Sequence, residues 1–206
     1  MALSTYSELK TSVADWLNRA DLTATVPDFI SLAEAQVERK LRTRQMIVRA
    51  DATIDTEYSA VPADFLEVKS LKLQTNPVTP MQFETIDALD NLQAQFPSSS
   101  KPRFFSIVGG QIRTVPIADG EYNAELTYYA KLSKLSNTNT TNWLLTAAPD
   151  VYLYGSLLQA APYLKDDARI SVWATLYTSA MEDLQVADDR GATSGGALIA
   201  RARTFG

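Results

Sequence analysis

Over the first fifty positions, apolar residues recur at three- and four-residue steps. Tyr6, Leu9, Val13, Trp16 and Leu17 fall on one face of a helix that Ser4 or Thr5 can cap. A connector over residues 21–25 leads to a second helix. It has Thr25 as N-cap, Pro27 in its first turn, and Phe29, Ala33, Val37 and Leu41 along one side. The period then shortens to two. Residues 52–57 alternate like a strand, Pro62 marks a turn over residues 58–66, and Val68, Leu71 and Leu73 are the apolar positions of a strand over 67–74. A short helix over 85–95 is capped at Thr85 and buries Ile86, Leu89 and Leu92. Residues 104–108 and 111–115 flank Gly109-Gly110, a hairpin turn whose glycines permit positive φ. Asp119-Gly120 predicts a second hairpin into residues 121–129, where Tyr122, Ala124, Leu126 and Tyr128 alternate with polar partners.

Helical spacing returns after the polar run at 136–142. Pro149 opens a helix carrying Val151, Tyr154, Leu158 and Ala161, with Pro162 near its end. Asp166 or Asp167 caps the last helix, whose stripe is Ile170, Trp173, Tyr177, Met181 and Leu184. Past Asp188-Asp189-Arg190 the composition turns to Gly, Ala, Ser and Thr, which predicts an extended tail. The expected layout is an N-terminal helical pair (1–49), a β-rich insertion (50–135), a C-terminal helical pair (136–190) and a tail (191–206). The expected fold is mainly α with a β-rich insertion. Its helices, two N-terminal and two C-terminal, form a four-helix bundle around a small antiparallel sheet.

Composition narrows the function classes. The 206 residues suffice for one large domain or a domain carrying an insertion, and 46% hydrophobic with 21% charged residues is ordinary globular usage. No run of about twenty apolar residues marks a transmembrane helix. The opening residues lack the basic-then-apolar pattern of a secretory signal, so a chain that stays inside the cell is expected. With no cysteine, disulfides, thiolate zinc sites and catalytic thiols are excluded. With no histidine, a Ser-His-Asp triad and imidazole metal sites are excluded too. Only carboxylates, Lys, Tyr, Ser and Arg are left for catalysis. No cofactor and no enzymatic role are expected. The net charge of −5 opposes binding of nucleic acid by the surface as a whole.

Few residues carry candidate chemistry. Asp166-Asp167 and Asp188-Asp189 are adjacent carboxylates, and neighbours on a helix point about 100° apart, so neither pair converges on one atom. Helix capping accounts for the first pair and solvation for the second. Gly109-Gly110 lacks the surrounding glycines and the Gly-Lys-Ser/Thr of a phosphate loop. Asn139-Thr140-Thr141 matches the glycosylation sequon, with nothing directing the chain to a glycosylating compartment. Arg39, Lys40, Arg42, Arg44 and Arg49 form the one basic concentration. They read either as phosphate contacts to DNA or as helix C-terminal charge with ion pairs to a neighbouring subunit. The absence of interleaved aromatics favours the second. The tail ends in apolar and basic residues, Leu198, Ile199, Arg201, Arg203 and Phe205, suited to ordering on another protein.

The order of elements resembles the head-to-tail connector, or adaptor, proteins of tailed bacteriophages. The resemblance rests on the opening helical pair, the turn Tyr58-Ser-Ala-Val-Pro-Ala-Asp-Phe-Leu-Glu-Val and the strand Ala124-Glu-Leu-Thr-Tyr-Tyr-Ala-Lys-Leu. Thr141-Asn-Trp-Leu-Leu, Pro149-Asp-Val-Tyr-Leu-Tyr-Gly and Pro162-Tyr-Leu-Lys-Asp-Asp-Ala-Arg follow, before a last helix and a Gly-Gly tail. It implies a virion protein, made in the host cytoplasm and located in the neck. Such proteins form a ring, commonly of twelve copies, that docks under the portal and extends the DNA channel. The ring offers a platform to the next tail or neck protein. The partners implied are the portal protein, that next component and further copies of the chain, with DNA passing through without sequence-specific binding and no membrane involved. The resemblance assigns portal docking to residues 191–206, with Leu198, Ile199, Arg201, Arg203 and Phe205 as anchors. It gives residues 50–131 to tail-side or subunit contacts, and leaves Arg39, Lys40, Arg42, Arg44 and Arg49 at subunit interfaces or facing the portal. A stopper or tail-completion role in the same neck is the nearest alternative. A DNA-binding helical protein, or a small carboxylate enzyme using a metal, stands further off.

Overall fold

The computed structural model describes residues 3–164 and 168–193. In chain order, α1 (Tyr6–Leu17) and α2 (Val26–Lys40) precede β1 (Ile47–Ile54), β2 (Tyr58–Ala60), β3 (Phe65–Leu73), β4 (Thr79–Pro80) and β5 (Gln82–Phe83). Next come α3 (Ile86–Gln95), β6 (Phe104–Val108), β7 (Gln111–Val115) and β8 (Tyr122–Ala130). The last elements are α4 (Trp143–Ala147), α5 (Pro149–Gln159) and α6 (Arg169–Thr193). The chain forms two compact units. Unit 1 joins the chain up to Arg44 with the chain from Leu132 onward, and unit 2 is the intervening Gln45–Lys131.

In unit 1, α1 starts at a capping box. The Glu8 amide donates to Thr5 Oγ1 at 3.3 Å, and the Thr5 amide donates to Glu8 Oε2 at 3.0 Å, satisfying two otherwise orphaned helix-end donors. Thr5→Ala is expected to cost about 1 kcal/mol, and an unchanged urea midpoint would refute that role. Thr25, the expected cap of α2, instead donates its hydroxyl to the Leu22 carbonyl in the preceding turn.

The centre of unit 1 is α5, which touches α1, α2, α4 and α6. Its buried residues, Val151, Tyr152, Leu153, Gly155, Ser156 and Leu157, run round the helix, as expected of a helix enclosed by others. Of the single stripe expected for it, Val151 is fully buried, whereas Tyr154, Leu158 and Ala161 are half-buried. Gly155 allows the closest approach: a Cβ there would lie 3.1 Å from Tyr177 Cε2 of α6 and 3.3 Å from Ala33 Cβ of α2. The last helix also runs past the expected break at residue 191, and the Arg44 guanidinium lies where a Gly191 side chain would project.

Unit 2 overturns the expected fold class. In place of a helical bundle around a small antiparallel sheet, the described residues hold six α-helices and two four-stranded sheets in a mixed α/β fold. One sheet has the order β1-β8-β3-β4 and the other β2-β7-β6-β5. The Gly109-Gly110 hairpin between β6 and β7 forms as expected, with φ of 58° and 79°. The hairpin expected at Asp119-Gly120 does not form. After that turn β8 crosses to the other sheet and pairs with β1 (Ile47↔Tyr129 to Ile54↔Tyr122) and with β3. Burial explains the crossing. Ala124, Leu126, Tyr128 and Ala130 face a core they share with Leu71 and Leu73 of the same sheet and with Phe105 and Ile112 of the other, so β8 gains most as an inner strand. Residues 58–60, read as part of a turn, form the short edge strand β2 on β7. In α3 the buried side is Leu89, while Ile86 stays exposed.

Candidate functional site

The basic run does not form one patch. Arg39 and Lys40 are exposed on the last turn of α2, where positive charge suits the helix dipole. Arg42 is half-buried, and its Nη1 donates to the carbonyls of Glu38 at 2.8 Å and Leu41 at 2.7 Å, closing the helix end. Arg44 pairs with Asp188 of α6 through Nε at 3.1 Å and its own amide at 3.0 Å. Asp188, expected as a solvated carboxylate, is therefore the partner that holds the end of α2 to α6. Arg49 belongs to unit 2, on β1, with Glu125 at 3.5 Å. The tail residues Leu198, Ile199, Arg201, Arg203 and Phe205, and the expected cap Asp166 or Asp167, lie outside the described residues.

Two apolar faces of unit 1 have no partner among the described residues. On α6, Trp173, Tyr177 and Ala180 are buried, yet Val172, Leu176 and Val186, on the adjoining flank of the helix, are exposed. Next to them, Ala174, Thr175, Thr178, Ser179 and Glu182 line a shallow groove along the helix. On α2, Leu32 projects outward on the side that continues to Arg39. The expected α6 stripe named only the inward side. The outward residues were legible as a second set at three- and four-residue steps, Val172, Leu176, Ser179, Asp183 and Val186.

Inside unit 1, sequence reasoning missed a buried polar network. Glu34 of α2 is 2% exposed, and its Oε1 accepts from the Leu135 amide at 2.8 Å and from the Tyr152 hydroxyl at 2.9 Å. Tyr152 in turn accepts from Asn142 Nδ2 at 2.6 Å, and Asn142 caps α4 through the Leu145 amide at 2.9 Å. The network ties the returning chain after unit 2 to α2 and α5. Burial pushes the Glu34 carboxyl above the usual glutamate range, against the two hydrogen bonds and the nearby Lys134, with Glu38 adding to the rise. Burial and the Glu34 carboxylate push Tyr152 up as well. The one signal available in the sequence was a Glu on the apolar side of α2, one position after Ala33.

In unit 2, Arg113 of β7 pairs with Glu57 at 2.9 Å and with Asp90 of α3, fastening that helix to its sheet. Tyr128 donates to Asp64, and burial with that carboxylate pushes it up to about 12. The Asn139 side chain donates to Ser133 Oγ and the Lys134 carbonyl within its loop. Among the described residues, no three His, Cys, Asp or Glu side chains gather as a metal site would need, and no helix is long and apolar enough to cross a membrane. Exposed large apolar side chains lie on α2 and α6, and also at Trp16 and Tyr163 of unit 1 and at Val78, Phe83 and Ile86 of unit 2.

A family model described as SU10 adaptor protein matches residues 4–201, nearly the whole chain. A comparison with curated proteins found no match.

Proposed function

Because this chain belongs to the SU10 adaptor protein family, we propose that it forms a ring that docks under the portal and joins a phage head to its tail. A structural adaptor of a phage has its place in the virion. The finer reading is a closed ring, of twelve copies, that extends the DNA channel and gives the next neck protein a platform. The observation that carries it is the match over residues 4–201, which takes in both units. The unpartnered faces of α2 and α6 support it, since a ring needs two different surfaces on each copy. The net charge of −5 also suits a channel wall along which DNA slides by repulsion.

In this reading the portal-docking segment, expected over 191–206, is the part that follows α6, residues 194–206, anchored by Leu198, Ile199, Arg201, Arg203 and Phe205. Unit 2 offers the tail-side contacts. Light scattering on the chain alone, and then mixed with its portal oligomer, tests the proposal. Co-elution as one stoichiometric assembly is expected, and its mass gives the copy number. A monomer that ignores the portal overturns the reading in favour of a stopper or tail-completion role. Truncation after Thr193 is expected to leave the circular-dichroism spectrum unchanged and to abolish portal binding. Undiminished binding by the truncated chain removes the docking role of the arm.

A further inference from the structure

We propose that the outward face of α6 receives the outward face of α2 from a second copy of this chain, the two helices lying parallel, and that this contact closes the ring. The inference rests on the ring reading and specifies which surfaces build it.

Each face carries exposed apolar residues, on α2 Leu32 alone with Asp28 exposed one turn before it, followed by charge toward the C-terminus. On α6, Val172 is 56% and Leu176 is 37% exposed, and Glu182 and Asp183 follow toward the C-terminus. On α2, Leu32 is 52% exposed, and Arg39 and Lys40 follow toward the C-terminus. Among the described residues, no ion pair engages Arg39, Lys40, Glu182 or Asp183, whereas Arg44 and Asp188 nearby are already satisfied by each other. These four charges are thus available to another molecule.

The spacing sets the direction. Leu32 and Arg39 are seven residues apart, and so are Leu176 and Asp183. Seven residues are two helical turns, about 10.5 Å. With the helices parallel, Leu32 lies against Leu176 while Arg39 and Lys40 lie against Asp183 and Glu182. Antiparallel, the same apolar contact carries Arg39 toward Arg169, and like charges meet. The groove lined by Ala174, Thr175, Thr178 and Ser179 leaves room for a ridge of the incoming helix, because its small side chains permit close approach.

The signs disfavour a parallel stacking of identical faces. In that arrangement two α6 faces would set Glu182 and Asp183 against their own copies, and two α2 faces would do the same with Arg39 and Lys40. The unlike parallel pair is complementary, and unlike faces on one copy propagate head-to-tail until the rotation closes.

Charge reversal tests this on the full chain, assembled on the portal oligomer and measured by light scattering. Arg39→Glu with Lys40→Glu, and separately Glu182→Lys with Asp183→Lys, are each expected to raise the concentration needed for assembly by roughly tenfold or more. All four changes in one chain restore the opposite-sign contact and are expected to return assembly to the wild-type range. Arg103→Glu with Lys131→Glu changes net charge as the first variant does, at exposed positions of unit 2, and is expected to assemble normally. If wild type assembles and the α2 or α6 reversals assemble equally well, the assignment of faces is wrong while the ring stands. Failure of the fourfold variant, or loss of assembly in the unit 2 control, also overturns the assignment. If wild type itself never assembles, it is the ring reading that fails.

Discussion

Gly155→Leu is expected to lower the stability of unit 1 by about 3 kcal/mol. Even the first added carbon would sit 3.1 Å from Tyr177 Cε2 and 3.3 Å from Ala33 Cβ. The ring of Tyr177 is buried and can yield only a few tenths of an ångström, and the Ala33 methyl is fixed to the backbone of α2. A leucine must therefore drive α2 or α6 away from α5, and much of the helical packing goes with it. Gly155→Ala is a different case. Alanine gains about 1 kcal/mol of helix propensity over glycine, and small shifts of Tyr177 absorb the contact, so a change close to zero is expected. Trp16, Trp143 and Trp173 all lie in unit 1, so tryptophan fluorescence in urea reports this unit alone. A leucine variant with the wild-type midpoint would show that the three helices are not held at this spacing.

Glu34→Ala is expected to cost about 3 kcal/mol, since it strands the Leu135 amide and the Tyr152 hydroxyl and leaves a void in the core. Glu34→Gln keeps an oxygen for both donors and removes the ionisation, which separates the packing role from the charge. Burial holds the folded carboxyl above its unfolded value. Between those two values the unfolded chain binds fewer protons than the folded one, so unfolding free energy falls as pH rises through that window. The contribution is complete below the unfolded value and lost above the folded one. Urea midpoints from about pH 4 to 8 should therefore fall for wild type relative to Glu34→Gln. Parallel profiles, or a wild type that gains on the glutamine variant as pH rises, would contradict the buried, proton-holding carboxyl.

The elements most legible in the sequence were those whose cause is local. Tyr6, Leu9, Val13 and Leu17 lie on the buried side of α1 while Trp16, expected with them, is exposed, and the cap at Thr5 needs only residues three apart. The Gly109-Gly110 turn likewise depends on two residues and their φ angles. What stayed hidden was set at long range. The alternation in β8 announced which of its side chains are buried, but β1 and β3 were chosen as neighbours by a core assembled from distant segments. That choice turns one expected small sheet into two sheets of four strands and changes the fold class. Tyr58-Ser-Ala is too short for a strand pattern to register, so β2 passed for a turn. A stripe search assumes that a helix has a wet side, an assumption that α5 breaks by being enclosed. For the candidate surfaces the basic run was visible as a cluster, yet the structure splits it between two units and two kinds of local pairing, and leaves only Arg39 and Lys40 on a face with Leu32.

The pairing of Ile47 with Tyr129 places the first and last strands of unit 2 side by side. Unit 1 cannot be completed until the chain from Leu132 onward exists, but every residue of unit 2 precedes that point. During synthesis unit 2 is thus free to fold first on the ribosome. Once β1 and β8 are zipped, about 90 residues of slack become a short tether, removing a closure entropy of about 4 kcal/mol from the later meeting of α2 with α5. The inserted sheets act as a clasp that presents the two halves of the helical unit to each other.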